Sequence, residues 1–296
     1  MFSFQIEQKV FSIGNVRFGG QPGRRRTVMI GSLFYPGHSI VLDRRGGVID
    51  QVRLGEILEG FHGAIEETST PAGIMVYAET GEAMRSHLEC LSDLTPSPLF
   101  IDSASQEVRI EGARAASEMG ILDRTVYNSL GSGTTEEELI DIQELGIRSA
   151  VLLAFSPREL GIKGKIYLLE NGHDILDEGL IDLASRYGID MPLLDMAVMS
   201  MDQSAGSALR AMLVAKAKWG LPSGCALHNA VESWDPPAGS KSISRTLFRN
   251  VDMASTIAPI MSGADFVMFG PLEAADRSLY AAAFTDELLH QASMDI

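Results

Sequence analysis

The chain has 296 residues, 45% of them hydrophobic, which is enough for one large α/β domain over residues 1–296, and no shift in composition calls for a second. Its 24 basic and 39 acidic residues leave a formal net charge of -15, which counts against a nucleic-acid partner, because neutralising phosphates takes clustered Lys and Arg. Two cysteines, Cys90 and Cys225, build neither a disulfide framework nor a zinc site and fit a reducing, cytoplasmic compartment.

The opening residues lack the basic start and apolar core of a signal peptide, and no run of about 18 apolar residues suggests a spanning helix. Residues 4–18 alternate and are broken by Gly14-Asn15, which predicts a β-hairpin placed as a lid on the bottom of a barrel. A glycine-rich turn, Gly19-Gly20-Gln21-Pro22-Gly23, then leads into a first buried strand at 27–33.

Short apolar runs alternate with helical patterns from there on. Further strands are expected near 74–78, 98–102, 125–128, 149–154, 191–195, 224–228 and 265–269. Eight strand-helix repeats describe a closed (β/α)8 TIM barrel better than an open doubly wound sheet, and no glycine-rich dinucleotide turn follows the first strand. Ser103-x-x-Gln106 and Thr134-x-x-Glu137 read as capping boxes at helix starts. The long connections at 155–179 and 230–250, the second around Asp235-Pro236-Pro237-Ala238-Gly239, are the expected lids over the barrel mouth.

Four of the apolar runs end in Asp102, Asn128, Asp195 and His228-Asn229. In parallel strands those ends share one face, so two carboxylates and two amides converge there. A 2-amino-4-oxo-pyrimidine, the recognition edge of a pterin, presents adjacent ring and exocyclic N–H donors beside carbonyl and ring-nitrogen acceptors. A carboxylate accepts from the paired donors and an amide both gives and accepts, so the four residues match that edge in kind. Structural roles compete: Asp102 also reads as a helix cap and Asn128 as a loop anchor. Asp195, between Leu194 and Met196, carries the cost of a buried carboxylate and calls for a partner.

These residues sit within longer matching segments: Phe4, the turn at 19–23, Gly31-Ser32-Leu33-Phe34-Tyr35, Phe100-Ile101-Asp102-Ser103, Tyr127-Asn128-Ser129, Leu152-Leu153-Ala154-Phe155, His228-Asn229-Ala230 with Trp234, and Gly270-Pro271. In order from about residue 2 to about residue 290, they resemble the MtrH family of tetrahydromethanopterin S-methyltransferase subunits. That family resembles in turn the methyltetrahydrofolate:corrinoid methyltransferases, which are pterin-binding TIM barrels. The resemblance implies that Asp102, Asn128 and Asp195 hold the pyrimidine side of the pterin and that Asn229 lies near the methyl-bearing nitrogen, with Asp102 or Asp195 as proton-relay members.

The implied reaction moves a methyl group between that nitrogen and the cobalt of a corrinoid. No Asp-x-His-x-x-Gly segment supplies a lower histidine ligand, so the corrinoid is expected on a partner protein docking over the mouth. Tetrahydromethanopterin is the first choice of substrate and tetrahydrofolate the second. With the first, the chain is a homodimeric subunit peripheral to a membrane methyltransferase complex. With the second, it serves a free methylcorrinoid protein in methylamine or quaternary-amine demethylation.

Other readings are weighed beside these. Glu79, at the end of the second strand, reads first as the start of a helix with Thr80, and His38 and His228 read first as hydrogen-bonded loop residues. Methionines at 191, 196, 199 and 201 read as core, with a docking surface as the alternative. Asp102, Asp195 and His228 as metal ligands of a hydrolase lack the paired first-strand histidines of the common barrel hydrolases. A dihydropteroate synthase would want a basic diphosphate pocket where Phe269-Gly270-Pro271-Leu272-Glu273 offers none. A non-catalytic pterin-binding scaffold is the remaining class.

Overall fold

The computed structural model describes residues 3–235 and 244–294. The predicted hairpin is β1 (Val10–Ile13) and β2 (Val16–Gly19), antiparallel about Gly14-Asn15, with Gly14 in the left-handed region at φ 54. After it come β3 (Val28–Leu33), a small antiparallel pair β4 (Val41–Asp43) and β5 (Val48–Ile49), and helix α1 (Gln51–Thr68). Then β6 (Ala72–Tyr77), α2 (Gly81–Ser92), β7 (Leu99–Asp102), α3 (Gln106–Glu118), β8 (Thr125–Leu130), α4 (Glu136–Leu145) and β9 (Ser149–Leu153) alternate strictly. The chain continues with α5 (Ile162–Asn171), α6 (Leu180–Arg186), β10 (Met191–Asp195), α7 (Gly206–Trp219) and β11 (Ser223–Cys225). It finishes with α8 (His228–Glu232), α9 (Arg245–Met261), β12 (Phe266–Pro271) and α10 (Ala275–Met294).

Strands β3 and β6 to β12 close into a parallel barrel in which each strand lies beside its neighbour in sequence, β12 closing onto β3. This is the (β/α)8 barrel that the repeats predict. Alternation along each strand divides the core in two. Val28, Ile30, Phe100, Val126, Val151, Leu193 and Phe266 fill the barrel interior, while the intervening residues meet the helices. Phe18 of β2 joins the interior set, fully buried, with its ring 6.3 Å from Phe100 and 6.5 Å from Phe266. The hairpin is thus a plug in the bottom of the barrel. Lys216 and Asp265 hold it from beside: the Lys216 ammonium donates to both Asp265 oxygens at 2.6 Å and to the Gly20 carbonyl at 3.0 Å.

Local details differ from the sequence reading. Helix α3 is capped at Ser105, not at Ser103; the Ser103 hydroxyl donates to the Ala78 carbonyl and accepts from the Ser105 amide, so it forms a turn before the helix. Helix α4 starts one residue later than expected, with Thr135 accepting from the Glu138 amide while Thr134 accepts from Gly131. Residues 155–179 are not one open lid, because α5 occupies Ile162–Asn171 at their centre. Of the 230–250 connection, residues 236–243 lie outside the described residues, and with them most of the Pro-Gly-Ser stretch.

Candidate active site

Asp102, Asn128 and Asp195 each follow by two residues a side chain of the barrel interior, namely Phe100, Val126 and Leu193. Period-two alternation therefore turns all three inward at the C-terminal end of the barrel. Register brings the first two side by side. Asp102 pairs with Asn128 across β7 and β8, and the Asn128 amide donates to Asp102 Oδ1 at 3.0 Å. Tyr77 of β6 stands opposite Asp102 on the other side.

Asp102 is partly exposed at the mouth. Burial pushes its pKa up to about 6, against the charge of Arg109 and the hydrogen bond from Asn128. Arg109 lies behind it on α3, donating to the Ser103 carbonyl at 2.7 Å and to Glu138 at 2.6 Å. Glu138 also accepts from the Tyr127 hydroxyl at 2.5 Å, so buried Glu138 and Tyr127 with the half-buried Arg109 brace the segment after β7.

Asp195 ends β10 with 6% of its surface exposed, and its Oδ1 finds no hydrogen-bond partner. Burial raises its pKa to about 7, opposed by the positive charge of Lys165. Lys165 is a buried residue of α5 whose ammonium donates to the Ala197 carbonyl at 2.6 Å. Burial lowers the Lys165 pKa, with the Asp195 and Cys225 charges opposing. A carboxyl group with an open oxygen and a proton held near neutrality is an acceptor waiting for a donor.

The fourth expected residue is placed differently. Strand β11 stops at Cys225, so His228 and Asn229 lie in α8 rather than at a strand end. Three short residues, Ser223-Gly224-Cys225, make the strand; a Cβ on Gly224 would come within 2.2 Å of the Phe266 carbonyl oxygen. The chain then turns into α8, which exposes Asn229 while its amide donates to the Val198 carbonyl at 2.8 Å. Asn229 is thereby tied to the loop that follows Asp195. The four residues form two groups on one end of the barrel, Asp102 with Asn128, and Asp195 with Asn229 through residues 196–198.

His228 turns away from both groups. Its Nδ1 lies 2.5 Å from Asp252 Oδ1, Arg277 donates to the other Asp252 oxygen at 2.6 Å, and its ring rests on Gly270, where a Cβ would stand 2.4 Å from Nε2. Burial pulls its pKa down, and the Asp252 and Glu232 carboxylates more than offset that, leaving it raised. His38 lies 2.9 Å from Glu273 and stacks on Tyr35, whose pKa burial and Glu273 push up to about 12. Glu79 pairs with Arg44 at 3.3 Å on the surface, beside the helix cap Thr80. The side chain that β6 sends to the mouth is Tyr77, opposite Asp102, while Glu79 stands at the helix start, which was the first reading of it.

Lys165 and Arg109 were missed by the sequence reading. Each stands in a helix where a charged residue ordinarily faces water. The signal for Lys165 was its place beside buried Ile166 and Leu169, on the face that packs against the barrel. Among the described residues no three His, Cys, Asp or Glu side chains converge as a metal site; His228, one of the three considered for that role, is engaged with Asp252. The methionines divide: Met196 is core, whereas Met199 and Met201 are 52% and 42% exposed beside the mouth.

Comparison with solved structures bears on the fold. The dihydropteroate synthase of Vibrio fischeri ES114 superposes with a TM-score of 0.59 over 97% of this chain and 98% of its own, at 13% identity. A Xanthomonas albilineans dihydropteroate synthase gives 0.58 over 98% and 100%, also at 13% identity. Sequence comparison reaches further. The tetrahydromethanopterin S-methyltransferase MtrH protein of Methanothermobacter thermautotrophicus is 37% identical over 296 residues, covering 100% of this chain and 96% of its own length. Its counterpart in Methanocaldococcus jannaschii is 31% identical over 305 residues with the same coverage. The family described as the MtrH subunit of tetrahydromethanopterin S-methyltransferase matches residues 6–296, and this chain, a methyltransferase barrel, belongs to that family.

Proposed function

We propose that the chain transfers a methyl group between the nitrogen of a methyl-tetrahydropterin, tetrahydromethanopterin in the first instance, and the cobalt of a corrinoid carried by a partner protein. The observation that carries this reading is the buried Asp195 carboxyl with an open oxygen, on the same barrel end as the hydrogen-bonded Asp102-Asn128 pair. Paired N–H donors on a pyrimidine edge satisfy that oxygen, and Asn128 and Asp102 meet the remaining acceptors and donors. A phosphate-binding alternative is disfavoured at the end of β12, where Glu273 is acidic and held by His38 and Tyr35.

An amine nitrogen leaves only when a proton or hydrogen bond reaches it by the transition state. Asn229 does not ionise, but an amide organises a water or donates a hydrogen bond. Asp102, which retains its proton to about 6, supplies the proton, while Asp195 accepts from the pyrimidine edge. The chain's own work is to hold the pterin, orient its nitrogen and place that proton; the corrinoid accepts or gives the methyl group when its protein docks. The exposed Met199, Met201 and Leu160 beside the mouth suit an adaptable apolar contact with such a partner. No helix among the described residues is long and apolar enough to cross a membrane, and we assign the chain as a peripheral, homodimeric subunit of a membrane-bound complex.

Calorimetric titration of the wild-type chain with tetrahydromethanopterin and with tetrahydrofolate tests the reading. Binding of the first, weakened at least about 100-fold in Asp195→Ala, is expected, because the substitution removes a charge-assisted pair of hydrogen bonds. In the same series Asn229→Ala keeps affinity and loses methyl-transfer rate. Heat with neither pterin would leave a scaffold; preference for tetrahydrofolate would move the chain to the demethylation pathway.

A further inference from the structure

Lys165 is the one buried cation on the mouth side that has no carboxylate in ion-pair contact among the described residues. Its position is specific. The ammonium hydrogen-bonds to the carbonyl of Ala197, two residues beyond Asp195, and the next carbonyl along, that of Val198, accepts from Asn229. Lys165 and Asn229 thus grip successive carbonyls of one short segment, and Asp195 is at its root. The β10 end of the segment is set by the barrel itself, through the Met196 amide to the Gly224 carbonyl at 2.9 Å and the Ala154 amide to the Asp195 carbonyl at 2.8 Å.

A solvated lysine is the ordinary state of this residue, and burying an ammonium costs several kcal/mol, roughly, unless opposite charge or hydrogen bonds return it. One carbonyl is a partial return. Asp195 returns a further part, since its charge and that of Lys165 act on one another through space, but burial outweighs the attraction and leaves the lysine lowered and the aspartate raised.

We propose that Lys165 is a positioning residue of the pterin site: from behind the barrel end it holds residues 196–198 in place and supplies the positive charge against which Asp195 ionises when paired N–H donors arrive. This rests on the pterin reading of Asp195 given above. The other groups around Asp195 do not supply that charge. The neighbouring strand β9 carries no titratable residue, and β11 contributes Cys225, whose pKa burial raises, so that it stays a neutral thiol. On α7 the buried Lys216 is committed to Asp265 at the other end of the barrel.

The test compares wild type, Lys165→Met and Lys165→Arg. Carboxyl carbon NMR of the ligand-free chains, with Asp195→Asn to identify the resonance, follows the Asp195 titration directly. Lys165→Met is expected to move its midpoint up by about one pH unit from about 7, while Lys165→Arg holds it near the wild-type position. Calorimetry with tetrahydromethanopterin then shows Lys165→Met about fivefold weaker at pH 7 and close to wild type above pH 9, the ratio expected from the ionised fraction.

An unmoved midpoint in folded Lys165→Met, or an affinity loss equal at every pH, would overturn the proposal. If Lys165→Met does not fold, Lys165→Gln replaces it on the same criteria. A wild type that binds no pterin while the midpoint moves as expected would uphold the coupling and remove the pterin reading.

Discussion

Asp102 and Asp195 keep their protons to higher pH in the folded chain, about 6 and about 7, than an unfolded aspartate does near 3.9. Protonation therefore favours the native state. The stability each contributes is complete below the unfolded value and is lost as pH rises through the folded one, so the ligand-free protein gives up stability between about pH 4 and pH 7 from these groups. Asp286, raised to about 6 while accepting from Thr27 at the bottom, acts in the same sense and blurs the wild-type curve. The difference from Asp195→Asn isolates the mouth. Melting temperatures measured across this range should fall less steeply in the variant, with the curves parting between about pH 4 and pH 7 and running parallel above it, and curves parallel throughout would mean that Asp195 ionises without penalty. Asp102, Asn128 and Asp195 were legible in the sequence because each ends an apolar run with a polar side chain of fixed parity. Asn229 was legible as a residue but not as a position, since β11 ends at Cys225 and the chain enters a helix instead.

Elements were read well where burial dictates them and poorly where single hydrogen bonds do. All eight barrel strands were visible as apolar runs, because a parallel strand covered by helices on one side and core on the other has no polar face to show. The caps of α3 and α4 were misplaced by two residues and by one, because Ser103 and Thr134 found partners in Ala78 and Gly131 that no local pattern announces. The hairpin plug was legible from its turn, but its fastening was not. Lys216 joins α7 to Gly20 and to Asp265 at the foot of β12, which also accepts from the Ser223 amide at 2.9 Å. Three segments far apart in sequence, around Gly20, Lys216 and Asp265, meet at one ammonium. Lys216→Met leaves Asp265 buried with its main partner gone, and denaturant unfolding should show a loss of about 3–5 kcal/mol. Its far smaller effect on pterin affinity would separate the bottom lysine from Lys165. A loss below about 1 kcal/mol would mean that the Asp265 carboxyl protonates at no great cost when the lysine is removed.

At the scale of the molecule, the proposed function keeps the mouth open to two visitors, a pterin and a corrinoid protein, so a second copy of this chain in the proposed homodimer would dock elsewhere. The outer helices α9 and α10 offer the surface. Tyr280, Phe284 and Leu288 recur at four-residue spacing along α10, exposed by 49%, 68% and 45%, and Ile257 and Met261 repeat the spacing on the packed neighbour α9. Residues four apart share a helix face, so this is a stripe and not a scatter. An isologous interface needs only such a self-complementary patch. With a net charge of -15, two copies repel at long range, and apolar contact is what is left to hold them. Phe284 has the largest exposed surface in the stripe, and Phe284→Glu would bury two like charges near the two-fold axis of such a dimer. Sedimentation equilibrium is expected to give a dimer for the wild type and a monomer for the variant, with tetrahydromethanopterin binding unchanged because the mouth lies at the strand ends. A wild-type monomer would remove the homodimer, and a variant that still dimerises at the same concentration would move the interface off α10.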